Sequence, residues 1–222
     1  KATERQKRVW EFYDEIGEVH NAATYVANSI SRLNLFVGVR PDPGSAPDRL
    51  LTEPDPDEPT PEVDLGYSYA EAATAIDTLE RLKSPMGDQG SMMRRLALNL
   101  WVPGEGYLLG QPVVDDAGSP VIDATGRPCE AWDVYSVEEI EVSPYERRTN
   151  SAGEQVPVVR IVDANGKKSD THPDTVVYRI WQAHPRFRDV ADSPNLAAAT
   201  ILDELLILTR AIRGAAMSRL KG

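Results

Sequence analysis

Residues 179–195 read RIWQAHPRFRDVADSPN and bring His184, Asp189, Asp192 and Ser193 close together in the chain. A serine, an imidazole and a carboxylate are the parts of nucleophilic catalysis. The imidazole takes the hydroxyl proton and the carboxylate orients the imidazole. Arg179, Arg186 and Arg188 stand in the same stretch and have the planar donor fork that holds phosphate or carboxylate. A structural reading uses the same residues. Pro185 stops a strand because it cannot donate to a ladder, and Asp192 or Ser193 caps a helix with Pro194 at its first position.

Other chemistry finds little support elsewhere in the chain. Neither Gly90-Ser91 nor Gly118-Ser119 completes the Gly-x-Ser-x-Gly turn of a serine hydrolase. The glycines of PGEGYLLG, residues 103–110, precede strand-like residues and lack a following Lys-Ser or Lys-Thr, so they read as a turn into a strand rather than a phosphate loop. His20, His172 and His184 fall in different elements and never at metal-ligand spacing. The run EPDPDEP lacks the glycine and the terminal bidentate Glu of a calcium loop. Arg94-Arg95, Arg147-Arg148 and Lys167-Lys168 read as solvated surface pairs. No catalytic residue, cofactor site or metal site is expected from these patterns.

The bulk composition sets further limits. The chain has 222 residues, 41% hydrophobic and 27% charged, with a formal net charge of -11. A protein that grips DNA by neutralising phosphates is usually basic on one face, which this balance does not favour. Cys129 is the one cysteine, so no disulfide framework forms within the chain. Its expected place is a hairpin edge. No apolar run reaches the roughly 18 to 20 residues that span a bilayer, and no membrane partner is expected. The start lacks Met and the end falls inside a helical pattern, so a fragment of a longer polypeptide is expected.

These residues are positioned by elements that the periodicity predicts. Val9, Phe12, Tyr13, Ile16, Val19, Ala23, Val26, Ile30 and Leu33 recur at helical spacing and predict a long N-terminal helix, with Gly17 marking a kink or a close packing contact. A short strand, LFVGV, follows. Residues 41–66 are dense in Pro, Asp and Glu and predict an acidic, Pro-rich mobile loop. Ser68 and Glu71 form a capping-box pattern that opens a helix ending at Ser84-Pro85. A second helix starts near Asp88, completing a helical hairpin. From Tyr107 the period becomes two. The pieces GYLLGQPVV, SPVID, EAWDVYS, EEIEVS, VPVVRIVD and TVVYRIWQ, separated by turns, predict an antiparallel β meander. The turns include SPYERRTNSAGE and DANGKKSD, the latter with an Asn165-Gly166 hairpin signal. A C-terminal helix follows from about Asn195. Helices and strands segregate along the chain, which predicts an α+β fold in one domain over residues 1–222.

Four stretches together resemble the portal protein of tailed phages, of the type common in phages and prophages of actinobacteria. They are WEFYDEIGEVHNAATYVANSISRLNLFVG, LALNLWVPGEGYLL, AWDVYSVEEIEV and the segment from VVYRIWQAHPRFRDVADSPN to the end. The resemblance is to the wing region of that family. It implies a structural subunit of a homo-oligomeric ring of about twelve copies at one capsid vertex. It implies a channel through which double-stranded DNA passes without tight binding, and docking of terminase, head-tail adaptor, capsid and scaffold proteins. The implied location is the virion, with the host cytoplasm during assembly. On this reading Ser193, with Asp192, caps a helix leading toward the stem, and Arg186 and Arg188 are inter-subunit contacts with an acidic neighbour. Two alternatives stand beside it: a hydrolase built on clustered acids with or without a divalent metal, and an interaction module binding through residues 42–64.

Overall fold

The computed structural model describes residues 2–33, 35, 69–82, 87–116, 119–123 and 126–221. The expected strand at LFVGV, the acidic loop over 41–66, the capping box at Ser68 and the stop at Ser84-Pro85 lie outside these residues, apart from Leu35.

The expected long N-terminal helix is two helices, α1 (Glu4–Glu15) and α2 (Gly17–Ile30). The break falls at Ile16, whose backbone is extended while its side chain is buried. A β-branched residue beside a glycine is a weak point for a helix. Breaking there lets the apolar faces of both helices meet in one core. Val9 and Phe12 of α1 pack with Val102, Leu196 and Leu206, and Val19 and Ala23 of α2 join the same core. α1 opens on a capping box between Thr3 and Gln6.

α3 (Tyr69–Arg81) lies against the edge of the sheet, and Arg81 reaches Asp123 at 2.8 Å. α4 (Gln89–Trp101) is capped by Asp88, whose carboxylate accepts from the Ser91 amide at 2.7 Å. α4 packs along α2, and Gly90 at its start comes close to the chain leaving α2. A Cβ at Gly90 would stand 2.7 Å from the Ser31 carbonyl oxygen.

Two three-stranded antiparallel sheets follow. The first has the order β2-β1-β6, from β1 (Glu105–Pro112), β2 (Glu130–Ser136) and β6 (Val176–Trp181). The second has the order β3-β4-β5, from β3 (Ile140–Thr149), β4 (Gln155–Val162) and β5 (Lys168–Asp170). They meet through Leu109, Ile140 and Val159, with Tyr107, Tyr135, Ile161 and Val177 packed around them. The other face of the first sheet carries α4.

Three expectations within the meander are corrected. YERRT, read as part of a turn, belongs to β3. The strand continues past Pro144 because the register shifts between Val142 and Arg147, a bulge on an edge strand where a missing amide costs no ladder bond. KSD, also read as turn, is β5, closing a hairpin on β4 around Gly166 at φ 76°. SPVID is not a strand among the described residues. It makes isolated bridges, Val114 to Pro120 and Ile122 to Pro128. The chain ends in a short helix α5 (Pro194–Ala197) and the long α6 (Ala199–Lys221).

Candidate functional site

The 179–195 stretch is a junction between sheet and helix. β6 leaves the sheet at Trp181, and the Gln182 amide donates to the Gly104 carbonyl at 3.0 Å. The chain then makes an excursion that closes on itself. Ala183 bridges Ala191, the His184 amide donates to Val190 at 2.9 Å, and the Asp192 amide returns to the Gln182 carbonyl at 2.8 Å. Residues 182–192 are thus tied at their base. The tip is pinned from below. Trp181 Nε1 donates to the Arg188 carbonyl at 3.1 Å, and Arg179 Nη2 to the Asp189 carbonyl at 3.1 Å.

Gly104 makes this closure possible. Its φ is 78°, and a Cβ there would lie 2.1 Å from the Asp192 carbonyl oxygen. Only glycine combines that left-handed backbone with so close a neighbour. In the sequence this residue stood out only as part of PGEGYLLG.

Ser193 is the N-cap of α5. Its Oγ accepts from the Leu196 amide at 3.1 Å and donates to the Val102 carbonyl at 2.7 Å. Asp192 is not the cap; its carboxylate accepts from the Ser193 amide at 2.9 Å. His184 Nδ1 accepts from the Arg186 amide at 3.1 Å. With both groups committed to backbone partners, no hydrogen bond joins His184 to Ser193 among the described residues. The stretch does not assemble a nucleophile and its base.

Arg186 and Arg188 sit at the exposed tip. The Arg186 guanidinium lies 5.4 Å from the Phe187 ring centre. Neither arginine makes an ion pair among the described residues. Phe187 and Val190 are exposed beside them. The tip therefore offers two positive charges on a small apolar base.

Below it is a buried polar cluster that sequence reasoning missed. Glu105, 5% exposed, accepts from Arg179 Nε at 2.9 Å and Nη2 at 3.0 Å, from Tyr107 at 2.6 Å and from Gln6 at 3.0 Å. Burial raises its pKa, but the hydrogen bonds from Arg179, Tyr107 and Gln6 outweigh it and leave the carboxylate below its ordinary value. Burial and the same carboxylate hold the Tyr107 phenol well above the ordinary range. The Arg179 guanidinium also stacks 4.5 Å from the Trp181 ring. One carboxylate thus joins α1, β1 and β6, and β6 holds the tip.

An open cleft of about 1130 Å³ lies beside the junction, between α1, α5, the start of α6 and the turn at Glu138. Half of its carboxylates are tied in ion pairs. Glu4 pairs with Lys7, and Glu11 and Asp203 pair with Arg8. Burial raises the pKa of Glu138, with Lys7 opposing and Asp14 and Glu139 adding to the rise. Among the described residues no group of three or more His, Cys, Asp or Glu is placed to hold a metal ion.

The basic pairs read as solvated surface are corrected in part. Arg95 Nη2 donates to both carboxylate oxygens of Glu139, at 2.7 and 2.8 Å. Arg148 clamps the backbone at Thr171 and His172, with Nη2 2.7 Å from the His172 carbonyl. Both carry tertiary contacts across many residues, and short-range spacing contains no trace of them. Cys129 is a free thiol, half-buried.

The arrangement defines an α+β fold with a tethered, basic, exposed tip at a sheet-to-helix junction. No family model matches the chain, and no curated protein matches it. Among solved structures, a chain in the neck of an empty GTA (gene transfer agent) particle computed with C6 symmetry has a similar fold, with TM-score 0.52, 16% identity and 100% of this chain covered. A chain in the neck of a native GTA particle computed with C12 symmetry matches 66% of this chain at TM-score 0.39 and 20% identity. The chain spans 47% and 36% of those two neighbours. No described helix is long and apolar enough to cross a membrane.

Proposed function

We propose that this chain is the wing region of a phage portal subunit, a structural component of the head-tail junction rather than an enzyme. Copies form a closed ring at one capsid vertex, about twelve in number. The ring is the channel for DNA packaging and ejection, and it docks terminase, head-tail adaptor, capsid and scaffold proteins. Its place is the virion, and the host cytoplasm during assembly.

The observation that carries this reading is the fold likeness extending over the whole chain, to a protein from the neck of a phage-like particle. The sequence motifs that resemble the portal wing add to it independently. The exposed tip adds a physical argument. A ring is built on heterologous contacts between two different faces of each subunit. Arg186 and Arg188 are held on a braced loop with no partner ion among the described residues, as one half of such a contact requires. The net charge of -11 suits a channel in which DNA slides rather than binds.

Native mass measurement of the full-length protein tests the reading. It predicts one high-order species at an integral multiple of the subunit mass. A monomer at high protein concentration would overturn it.

A further inference from the structure

The C-terminal half of α6 is unlike the rest of the molecule. Residues 205–221 carry Arg210, Arg213, Arg219 and Lys221 and no acid, in a chain with net charge -11. Leu202 and Leu206 pack toward α1 in the main core, and Arg210 and Arg213 reach Glu15 at the end of α1. At about 100° per residue, Ile201, Leu208 and Ile212 form a separate stripe. They are 71%, 55% and 61% exposed. Beyond Arg213 every described side chain of the helix is exposed. A helix rises about 1.5 Å per residue, so the end of α6 runs roughly 10 Å past its last contact with α1.

The cleft between α1, α5 and the Glu138 turn has the opposite character. Its apolar floor includes Trp10 and Leu196. Once the ion pairs of Lys7 and Arg8 are formed, Asp14, Glu138 and Asp192 face Arg5 alone among its constant cations. Burial and the neighbouring Asp14 and Glu139 disfavour charge on Glu138, a penalty that an incoming cation would relieve.

We propose that the basic, apolar C-terminal half of α6 seats in the acidic cleft of a second copy of this chain. Copies that each carry a net charge of -11 repel in most orientations. Arg210 is already paired with Glu15 of its own copy, which leaves Arg213 and Arg219 to meet the acidic cleft. Arg219 and the Ile201, Leu208 and Ile212 stripe lie about 180° around the helix from the cleft-lining Ala199 and Asp203, which gives one attractive orientation between two different faces. A contact between two different faces repeats head to tail, and it closes as a ring where the rotation from copy to copy completes a full turn. The inference rests on the ring reading above and names a pair of surfaces for it.

The test uses the full-length protein. A photo-reactive phenylalanine analogue in place of Ile212 should cross-link to peptides of α1 or α5. In mixtures of isotopically light and heavy protein, the cross-linked pair should join one light and one heavy copy. Asp14→Lys and Arg219→Glu, both at exposed positions, should each raise the concentration for half-assembly at least tenfold with an unchanged circular dichroism spectrum. The double variant should restore assembly. Rings that form with cross-links only within a copy, or to another surface, overturn this contact and leave the ring reading intact. The same holds if neither charge reversal has an effect. Absence of rings in the unmodified protein overturns the ring reading itself.

Discussion

The Arg179 guanidinium holds both oxygens of the Glu105 carboxylate, Nε to Oε1 at 2.9 Å and Nη2 to Oε2 at 3.0 Å. The acid is almost fully buried and the base partly so. Removing the base strands a charge that the two neutral neighbours, Tyr107 and Gln6, cannot replace. Arg179→Met is therefore expected to destabilise the fold by about 3 kcal/mol, the order seen when one partner of a buried pair is lost. Glu105→Gln, which removes the charge and keeps the shape, should cost less. Urea unfolding of the two variants checks this; equal small effects would contradict it.

The same pair gives a pH dependence with a definite sign. The folded-state pKa of Glu105 lies below its ordinary value of 4.5. Its contribution is present above the unfolded pKa and is lost as pH falls through the folded one. The stability difference between wild type and Glu105→Gln should be constant near neutrality and shrink once pH drops below about 4.5. A difference that grew toward low pH would contradict the assignment.

Ser193 and Asp192 should separate cleanly. Ser193→Ala removes the cap of α5 and the hydrogen bond to Val102, both buried, for a loss of about 1 to 2 kcal/mol. Asp192→Ala removes one local bond to the Ser193 amide and should cost less than about 1 kcal/mol. Thermal unfolding of each single variant measures the split.

Gly104→Ala combines a left-handed backbone with a collision at the Asp192 carbonyl. It should cost more than about 1 kcal/mol, and the loosened base of the tip should raise amide exchange over residues 182–192. Protection unchanged in that segment would show that the closure does not depend on Gly104.

The pattern of what could be read from the chain follows the range of the interactions. The Asn165-Gly166 hairpin, the α4 start at Asp88 and the β6 strand ending before Pro185 are local, and local spacing contains them. The bulge in β3 was hidden because Pro144 and the charged residues after it look like a turn. On an edge strand they are tolerated. The break at Ile16 was only half legible: Gly17 marked the place, but the burial of Ile16 that sets the direction of α2 depends on residues far along the chain, among them Val102, Leu196 and Leu206. Glu105, Arg179 and Gln6 were invisible as a cluster for the same reason. The apparent catalytic grouping failed for the opposite one. His184, Asp192 and Ser193 are near in sequence, but each is consumed by a backbone partner nearby.

The tip arginines test the ring from a side other than α6. Arg186→Glu with Arg188→Glu should leave the melting temperature within about 2 °C, because exposed charges contribute little to stability. It should lower the assembled fraction of the full-length protein in sedimentation. Unaltered assembly would remove these residues from the inter-subunit contact.

The most direct measurement of the central claim is electron microscopy of the full-length protein. The account predicts closed rings with a central channel, about twelve-fold when viewed along the axis, in which the fold described above repeats once per subunit with the 184–190 tip against its neighbour. Single particles the size of one subunit, or open filaments without a channel, would contradict it.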